Sequence, residues 1–332
     1  MPENNKYHGY NELTPDTIVN AIESLGYLSD RRILALNSYE NRVYQVGIEN
    51  DSPIIVKFYR PGRWTNEMII EEHQFTLDLA KQEIPVIAPN LIDGNSLFDY
   101  GEYRFSIYPR FGGYAPELDN SDHLLQLGRI IAQIHNIGET KTFQARPEIS
   151  ITDFANRPVN YLLENNFIPI DLIDAYTSLT KDLIKRIKDC FDQAGKIKTI
   201  RLHGDCHHGN VLTRDENFYI VDFDDARTGP AIQDIWMFLS GDRQYMTSRL
   251  NDFMEGYIEF RGFNPSELHL IEALRTLRLI HYSAWLAERW DDPAFPIAFP
   301  FFNTQRYWEE QILSLREQAA LMEEPSLDWH LH

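Results

Sequence analysis

Leu202–Ala226 reads LHGDCHHGNVLTRDENFYIVDFDDA, and this stretch decides the fold. Asp205 and Asn210 lie five residues apart in a loop, and Asp222 ends a strand twelve residues further on. Residues 211–213 and 218–221 can pair as a hairpin across residues 214–217, and folding this hairpin back returns Asp222 to the side of Asn210. Two oxygen ligands then converge, as Mg²⁺ requires. Asp205 remains close enough in sequence to orient an attacking hydroxyl or to accept its proton.

The spacing of these residues resembles the catalytic and metal loops of protein-kinase-like phosphotransferases. His203–Asp205 reads HGD and Asp222–Asp224 reads DFD, which is similar to the aminoglycoside-phosphotransferase and choline-kinase branch. The resemblance implies a two-lobed α+β fold, with a small β-rich N-lobe and a larger helical C-lobe, that uses ATP and Mg²⁺. It also implies that Asp205 and Asp222 are catalytic and that Asn210 and Asp222 bind the metal. The competing interpretation is a pair of polar loops with capping carboxylates.

An apolar strand upstream, Ile54–Phe58, contains Lys57, and a buried ammonium needs partners. The helix predicted next, Glu67–Lys81, offers Glu72 and its neighbour Glu71, and periodicity does not choose between them. Lys57 with Glu72 resembles the kinase pair that aligns the α- and β-phosphates of ATP. The alternative is an edge-strand lysine that reaches solvent.

The predicted nucleotide loop, Leu36–Arg42 (LNSYENR), contains no glycine. It would contact phosphate through Ser38 and backbone N–H groups, and the resemblance also implies an ATP-loop position for Ser38. A plain hairpin loop is the alternative. Tyr108–Phe111 (YPRF) resembles the hinge whose backbone binds adenine. Pro109 lacks an N–H group, so Phe111 or a neighbour is the expected donor.

Other polar residues in the motifs have simpler explanations. Cys206, His207 and His208 look like metal ligands, but consecutive side chains rarely converge on one ion. Asp224 and Asp225 would add carboxylates near the metal, with solvated or capping carboxylates as the alternative.

The chain divides into a strand-rich and a helix-rich part. Residues 1–111 are predicted to form the nucleotide-binding lobe, and residues 112–332 the helical catalytic and substrate lobe. Helical periodicity in the second part predicts four helices: His123–Ile137, Ile170–Gln193, Ile232–Leu239 and Ser266–Trp290.

The bulk properties exclude several classes of protein. The 332 residues carry 31 Lys+Arg against 50 Asp+Glu, a net charge of −19, which argues against a nucleic-acid partner and favours a basic acceptor. Two cysteines form no disulfide framework. A polar N-terminus and the lack of a membrane-spanning apolar run predict a soluble cytoplasmic protein without a membrane partner. We expect a monomer.

Further stretches narrow the resemblance. LNSYENR at 36–42, VKFYRP at 56–61, EEHQF at 71–75 and DDPAFP at 291–296 are similar to bacterial Ser/Thr protein kinases of the aminoglycoside-phosphotransferase-like fold. The similarity extends over nearly the whole chain. It implies ATP- and Mg²⁺-dependent transfer to Ser or Thr hydroxyls, including autophosphorylation, and a role in bacterial stress response.

Two other functions compete with this one. A kinase of a small alcohol, such as an aminoglycoside, choline or homoserine, is favoured by the short segment Ala226–Ile232 after the metal loop. A pseudokinase that binds nucleotide without catalysis fits less well, because Lys57, Asp205, Asn210 and Asp222 are all present.

Overall fold

The computed structural model describes residues 9–329 of the chain. These residues form two compact units. The first contains the described residues up to Pro116 together with two later segments, Gln144–Arg146 and Gly209–Asp225, and the second contains the rest. The lobe boundary predicted at Phe111 stays a prediction.

Most strands belong to the first unit and most helices to the second. In chain order the strands are β1 (Ser29–Ala35), β2 (Arg42–Ile48), β3 (Ile54–Phe58), β4 (Phe98–Tyr100), β5 (Tyr103–Pro109), β6 (Thr199–Leu202), β7 (Val211–Arg214), β8 (Asn217–Ile220) and β9 (Arg227–Pro230). In chain order the α-helices are α1 (Pro15–Glu23), α2 (Asn66–Lys81), α3 (Ser121–Thr140), α4 (Arg157–Glu164), α5 (Ile173–Ala194), α6 (Arg243–Ile258), α7 (Ile271–Glu288), α8 (Ala294–Ala298) and α9 (Gln305–Leu321).

An antiparallel sheet in the order β1-β2-β3-β5-β4 forms the body of the first unit. Ile54, Val56 and Phe58 of β3 pack in one buried cluster with Ile18 and Ile22 of α1. Because side chains alternate along a strand, Lys57 lies on the other face of β3. It is opposite Val43 of β2 and Ser106 of β5.

Helix α2 begins where the sequence supplies a cap. The side chain of Thr65 accepts a hydrogen bond from the N–H of Met68, so the helix starts one residue before the predicted start and ends at the predicted Lys81. On its buried side Phe75 packs edge-on against Phe223, with the ring centroids 5.8 Å apart. The helix therefore supports the segment that follows β8.

The predicted hairpin forms from β7 and β8, with Val211 opposite Ile220. Its turn residues, Asp215 and Glu216, have φ angles of 50° and 62°, the backbone that a tight two-residue hairpin requires. The N–H of Ile220 donates to the carbonyl of Pro85 at 2.9 Å. This bond joins the hairpin to the extended segment after α2.

Two helices of the second unit approach closely. A Cβ atom on Gly128 of α3 would lie 2.0 Å from the carbonyl oxygen of Phe253, and one on Gly256 of α6 would lie 1.9 Å from that of Leu125. Both positions therefore require glycine.

The helix predicted for Ile232–Leu239 is wrong, because this segment forms two short 3₁₀ turns. Its polar groups bond to distant partners. The N–H of Ile232 donates to the carboxylate of Glu267 at 2.9 Å, and the amide of Gln233 donates to the carbonyl of Gly204 at 2.9 Å. These tertiary bonds outweigh the local helical pattern.

The α+β class predicted from the sequence is confirmed. The helices predicted near residues 123, 170 and 266 are present as α3, α5 and α7, and 3₁₀ turns precede α5 and α7. Helices α4, α6, α8 and α9 were not predicted. Within residues 9–329, no helix combines the length and the apolar character needed to cross a membrane.

Candidate active site

Lys57 is the centre of a buried ionic network in the first unit. Its side chain is 9% exposed, and Nζ lies 3.0 Å from Oδ1 of Asp222 and 3.1 Å from Oδ1 of Asp224. Burial acts to lower the pKa of this ammonium, but the charges of Asp222 and Asp224 outweigh it and hold the pKa well above its usual value. Lys57 is therefore a permanent buried cation, not an edge-strand lysine in solvent.

The three carboxylates after β8 differ in exposure. The side chain of Asp222 is 54% exposed, that of Asp225 29% and that of Asp224 6%. Burial acts to raise the pKa of Asp224, but the charges of Lys57 and Arg63 lower it to about 2. Asp222 has a φ of 61°, which few non-glycine residues adopt. Of the three, Asp222 presents the open carboxylate.

Asn210 and Asp222 lie at the open end of the hairpin, where the N–H of Val221 donates to the carbonyl of Asn210 at 3.0 Å. Amide and carboxylate oxygens suit a hard divalent cation, and the exposure of Asp222 leaves room for the water and phosphate ligands that Mg²⁺ retains. In the described part of the chain no three His, Cys, Asp or Glu side chains are grouped to hold a metal ion. Asn210 and Asp222 thus offer oxygen donors of the type that a divalent cation takes.

Arg63 is a site residue that the sequence analysis missed. Its guanidinium bonds Asp224, lies 2.9 and 3.0 Å from the two carboxylate oxygens of Asp225, and lies 3.7 Å from Oε1 of Glu40. Glu40 belongs to the predicted nucleotide loop. Arg63 therefore connects that loop with the carboxylates after β8.

The predicted nucleotide loop is fixed by Arg60. This side chain donates to the carbonyl of Glu40 at 2.9 Å and to that of Tyr39 at 3.0 Å. The backbone N–H of Arg60 donates to Oδ1 of Asn41 at 3.1 Å. Ser38 is half-buried in the loop that these bonds shape.

Phe111, the predicted hinge residue, follows β5 and packs on the hairpin. Its ring centroid lies 4.0 Å from that of Tyr219, and the guanidinium of Arg214 lies 5.6 Å from it. These contacts occupy the side chain, and the nucleotide contact predicted for the backbone of Phe111 stays a prediction.

The two carboxylates of α2 have different partners. Glu71 accepts hydrogen bonds from the backbone N–H groups of residues 144–146 at 2.6, 2.8 and 2.9 Å. Glu72 is 2% exposed, and burial raises its pKa to about 7 against the attraction of Lys57. The ion pairs of Lys57 within 4.0 Å go to the carboxylates after β8 instead, so the pair predicted for Lys57 and Glu72 does not form.

In the second unit, a buried carboxylate holds the loop that carries Asp205. Asp234 is fully buried and accepts hydrogen bonds from the backbone N–H groups of His203 and Gly204, both at 2.8 Å. It also lies 3.3 Å from Nε2 of His135. His203 braces the same loop by accepting a bond from the N–H of Asp205 at 3.3 Å. Two buried bonds thus hold the backbone of the residues just before Asp205, and a part-buried bond holds its own N–H.

A second arginine that the sequence analysis missed engages the side chain of Asp205. Arg278 on α7, 73 residues away in sequence, donates to Oδ1. Nε2 of His207 lies 3.6 Å from Oδ2. A carboxylate keeps further lone pairs after one such bond, so Asp205 remains able to accept the proton of a hydroxyl.

Cys206 follows Asp205 directly and is fully buried. Burial raises the pKa of its thiol well above the usual value. His208 is exposed, so these neighbouring side chains have different surroundings. Cys206 fills space beneath the loop as a neutral group.

The chain is similar to known proteins along most of its length. A family model described as the phosphotransferase enzyme family matches residues 32–292. Stress response kinase A of Escherichia coli O157:H7 is 41% identical over 324 residues, which cover 98% of this chain and 98% of that protein. The serine/threonine protein kinase RdoA of Salmonella typhimurium is 41% identical over 318 residues, which cover 96% of each.

A solved structure shares the fold. Amicoumacin kinase hAmiN in complex with AMP-PNP, Ca²⁺ and Ami matches with a TM-score of 0.68 at 18% identity, over 87% of this chain and 90% of that one. At this identity the likeness concerns the fold alone. It confirms the protein-kinase-like α+β fold that the sequence motifs predict.

Proposed function

This chain belongs to the phosphotransferase enzyme family, and we propose that it is an ATP- and Mg²⁺-dependent kinase of Ser and Thr hydroxyls in proteins, itself included. We place it in the bacterial stress response. The observation that carries the proposal is the 41% identity to stress response kinase A of Escherichia coli O157:H7 across 98% of both chains. The side chains that the motifs require are all present and support the same activity.

In this proposal residues 1–111 form the nucleotide-binding lobe, and residues of the first unit contact the nucleotide. Lys57 supplies a permanent positive charge to the α- and β-phosphates, while Ser38 and the backbone of its loop contact phosphate. The backbone of Phe111 bonds the adenine edge. Glu72 is buried near Lys57, and in its ionised form it adds to the attraction that keeps the lysine protonated.

Asn210 and Asp222 are the proposed metal ligands. A bound Mg²⁺ would neutralise phosphate charge during transfer. Lys57 lies 3.0 Å from Oδ1 of Asp222, and the carboxylate keeps further lone pairs for a cation. The phosphates of ATP would give the lysine further partners.

Asp205 is proposed to orient the acceptor hydroxyl and accept its proton. Asp234 fixes the backbone of the loop, and Arg278 restrains the carboxylate of Asp205. Residues 112–332 are the proposed catalytic and substrate lobe. General base catalysis of this kind contributes about 10²–10⁴-fold to the rate.

A small alcohol is the second candidate acceptor. Strand β9 follows the metal loop almost directly and pairs with β6, with Leu202 opposite Arg227. The stretch in which protein kinases place an extended activation segment is therefore short, and less chain is available there to bind a peptide.

Transfer of label from γ-labelled ATP tests the proposal. The protein would be incubated with Mg²⁺ and labelled ATP alone, with a basic protein, and with candidate alcohols, with Asp205→Asn as the matched control. We expect label on the enzyme and on the basic protein. Label on an alcohol alone would show that the acceptor is a small molecule and not a protein. ATP binding without any transfer would identify a pseudokinase.

A further inference from the structure

The acidic segment after β8 contains more carboxylates than one metal site needs. Asp222, Asp224 and Asp225 fall within four residues. Lys57 contacts the first two, and Arg63 contacts the last two. Asp224 is therefore shared by the two cations, while Asp222 pairs with Lys57 and Asp225 with Arg63.

The position of Arg63 is tightly constrained. Its side chain is 12% exposed, and its guanidinium carbon lies 4.9 Å from the ring centroid of Trp64. Two nitrogens of the guanidinium address different carboxylates, Asp224 and Asp225. An arginine fork that is shielded from water makes stronger and more directional bonds than a surface ion pair.

We infer that Arg63 is a positioning residue that commits Asp224 and Asp225 to ion pairs and so leaves Asp222 as the carboxylate for the cation. This inference rests on the proposed function. Once Asp222 is engaged by a cation, Lys57 retains Asp224, and Arg63 retains both Asp224 and Asp225. Without Arg63, Asp224 and Asp225 would lose the cation that they share, next to the carboxylate proposed to bind Mg²⁺.

Arg63 also couples the metal loop to the nucleotide loop. Its Nε lies 3.7 Å from Oε1 of Glu40, and Nε of Arg60 lies 3.0 Å from the same oxygen. Ser38 is two residues from Glu40. A shift of Arg63 would therefore change contacts both in the nucleotide loop and in the metal loop.

The dependence of ATP binding on Mg²⁺ tests this role without turnover. Isothermal titration calorimetry would measure ATP affinity at graded Mg²⁺ concentrations for wild type, Arg63→Gln and the matched control Arg104→Gln. Arg104 bonds the carbonyl of Trp64 at 2.8 Å and Oδ1 of Asn66 at 2.9 Å, so the control perturbs the same segment without touching the carboxylates. We expect Arg63→Gln to raise the Mg²⁺ concentration for half-maximal binding about 10–100-fold. Arg104→Gln should leave it unchanged.

A double-mutant cycle shows whether Arg63 acts through its carboxylate partner. Asp225→Asn should leave the Mg²⁺ requirement close to that of wild type, because Arg63 still pairs with Asp224. The combined variant should need less Mg²⁺ than Arg63→Gln alone, because one of the released carboxylates is then gone. If circular dichroism shows that Arg63→Gln is unfolded, Arg63→Lys replaces it. Arg63→Lys keeps the charge, loses the fork, and should show an intermediate effect.

The outcomes separate the two claims. A folded Arg63→Gln protein with the Mg²⁺ requirement of wild type would overturn the inference and leave the proposed function unchanged. Full additivity of the effects of Arg63→Gln and Asp225→Asn on the Mg²⁺ requirement would do the same. Failure of the wild-type protein to bind ATP at any Mg²⁺ concentration would overturn the proposed function.

Discussion

The two loops that carry the candidate chemistry are held by different forces. Charged side chains, Lys57 and Arg63, hold the metal loop at residues 222–225. Backbone N–H groups that donate to the buried Asp234 hold the catalytic loop at residues 203–205. A cation that pairs with several carboxylates can exchange partners when a ligand binds. Buried backbone hydrogen bonds cannot break without leaving unpaired polar groups. Of these two loops, the proposed metal loop is thus the adaptable one and the proposed catalytic loop the fixed one.

The largest effect should come from the fixed loop. Asp205→Asn should reduce phosphate transfer about 10²–10⁴-fold, because an amide cannot accept the proton of the hydroxyl. ATP affinity, measured by calorimetry, should stay at the wild-type value because the residue belongs to the other loop. A large loss of ATP affinity would show that the two loops do not act independently.

Removal of the anchor of the fixed loop should affect stability. Asp234→Ala should lower the free energy of unfolding by about 3–5 kcal/mol, since it leaves buried N–H groups without an acceptor. Urea denaturation followed by circular dichroism measures the change.

The matched control for this variant is Asp242→Ala. Asp242 caps α6 at the surface by accepting a bond from the N–H of Tyr245, and loss of such a cap costs about 1 kcal/mol. Equal losses in the two variants would contradict the special role of Asp234.

The adaptable loop should lose function rather than structure. Lys57→Ala should lower kcat/KM for ATP about 10²–10³-fold, by analogy with the loss of one preorganised donor to a developing charge. Its unfolding transition should remain cooperative, because Arg63 still pairs with Asp224. Collapse of the fold would instead identify Lys57 as a structural residue.

The smallest effect is a pH dependence near the fixed loop. Burial raises the pKa of Glu267 to about 7, although its carboxylate accepts the N–H of Ile232 at 2.9 Å. The folded protein therefore keeps this proton at pH values where the unfolded chain releases it. Its contribution to stability is present below about pH 4.5 and is lost as the pH rises through about 7.

Glu267→Gln isolates this contribution. Between pH 5 and pH 8, wild-type stability should fall by about 1–3 kcal/mol more than that of the variant. Glu72, whose pKa is raised to about 7, titrates in the same window in both proteins, so its contribution cancels in the difference. Parallel stability curves for the two proteins would contradict the assignment.

Local patterns were sufficient to predict the elements that carry the site. The hairpin that returns Asp222 to Asn210 follows from two strand-like runs separated by residues 214–217, although the structure extends both strands and leaves a two-residue turn. The strand of Lys57 follows from its apolar neighbours. Arg63 and Arg278 could not be predicted, because their partners lie 161 and 73 residues away in sequence. Nothing in a local window shows which carboxylate a distant arginine meets.

The choice between Glu71 and Glu72 shows the same limit. Adjacent residues on a helix differ in direction by about 100°, but the pattern does not reveal what packs against each direction. The structure brings residues 144–146 to Glu71 and buries Glu72. The carboxylates that pair with Lys57 are Asp222 and Asp224, which follow β8 and lie outside the helix that the pattern describes.

The burial of Cys206 has a chemical consequence. Peroxides and alkylating reagents attack the exposed thiolate of cysteine, and this thiol is buried with a raised pKa. The residue joined directly to Asp205 is therefore a poor target for oxidants. In the proposed function, the loop that carries Asp205 is thus protected from reagents that modify more accessible thiols.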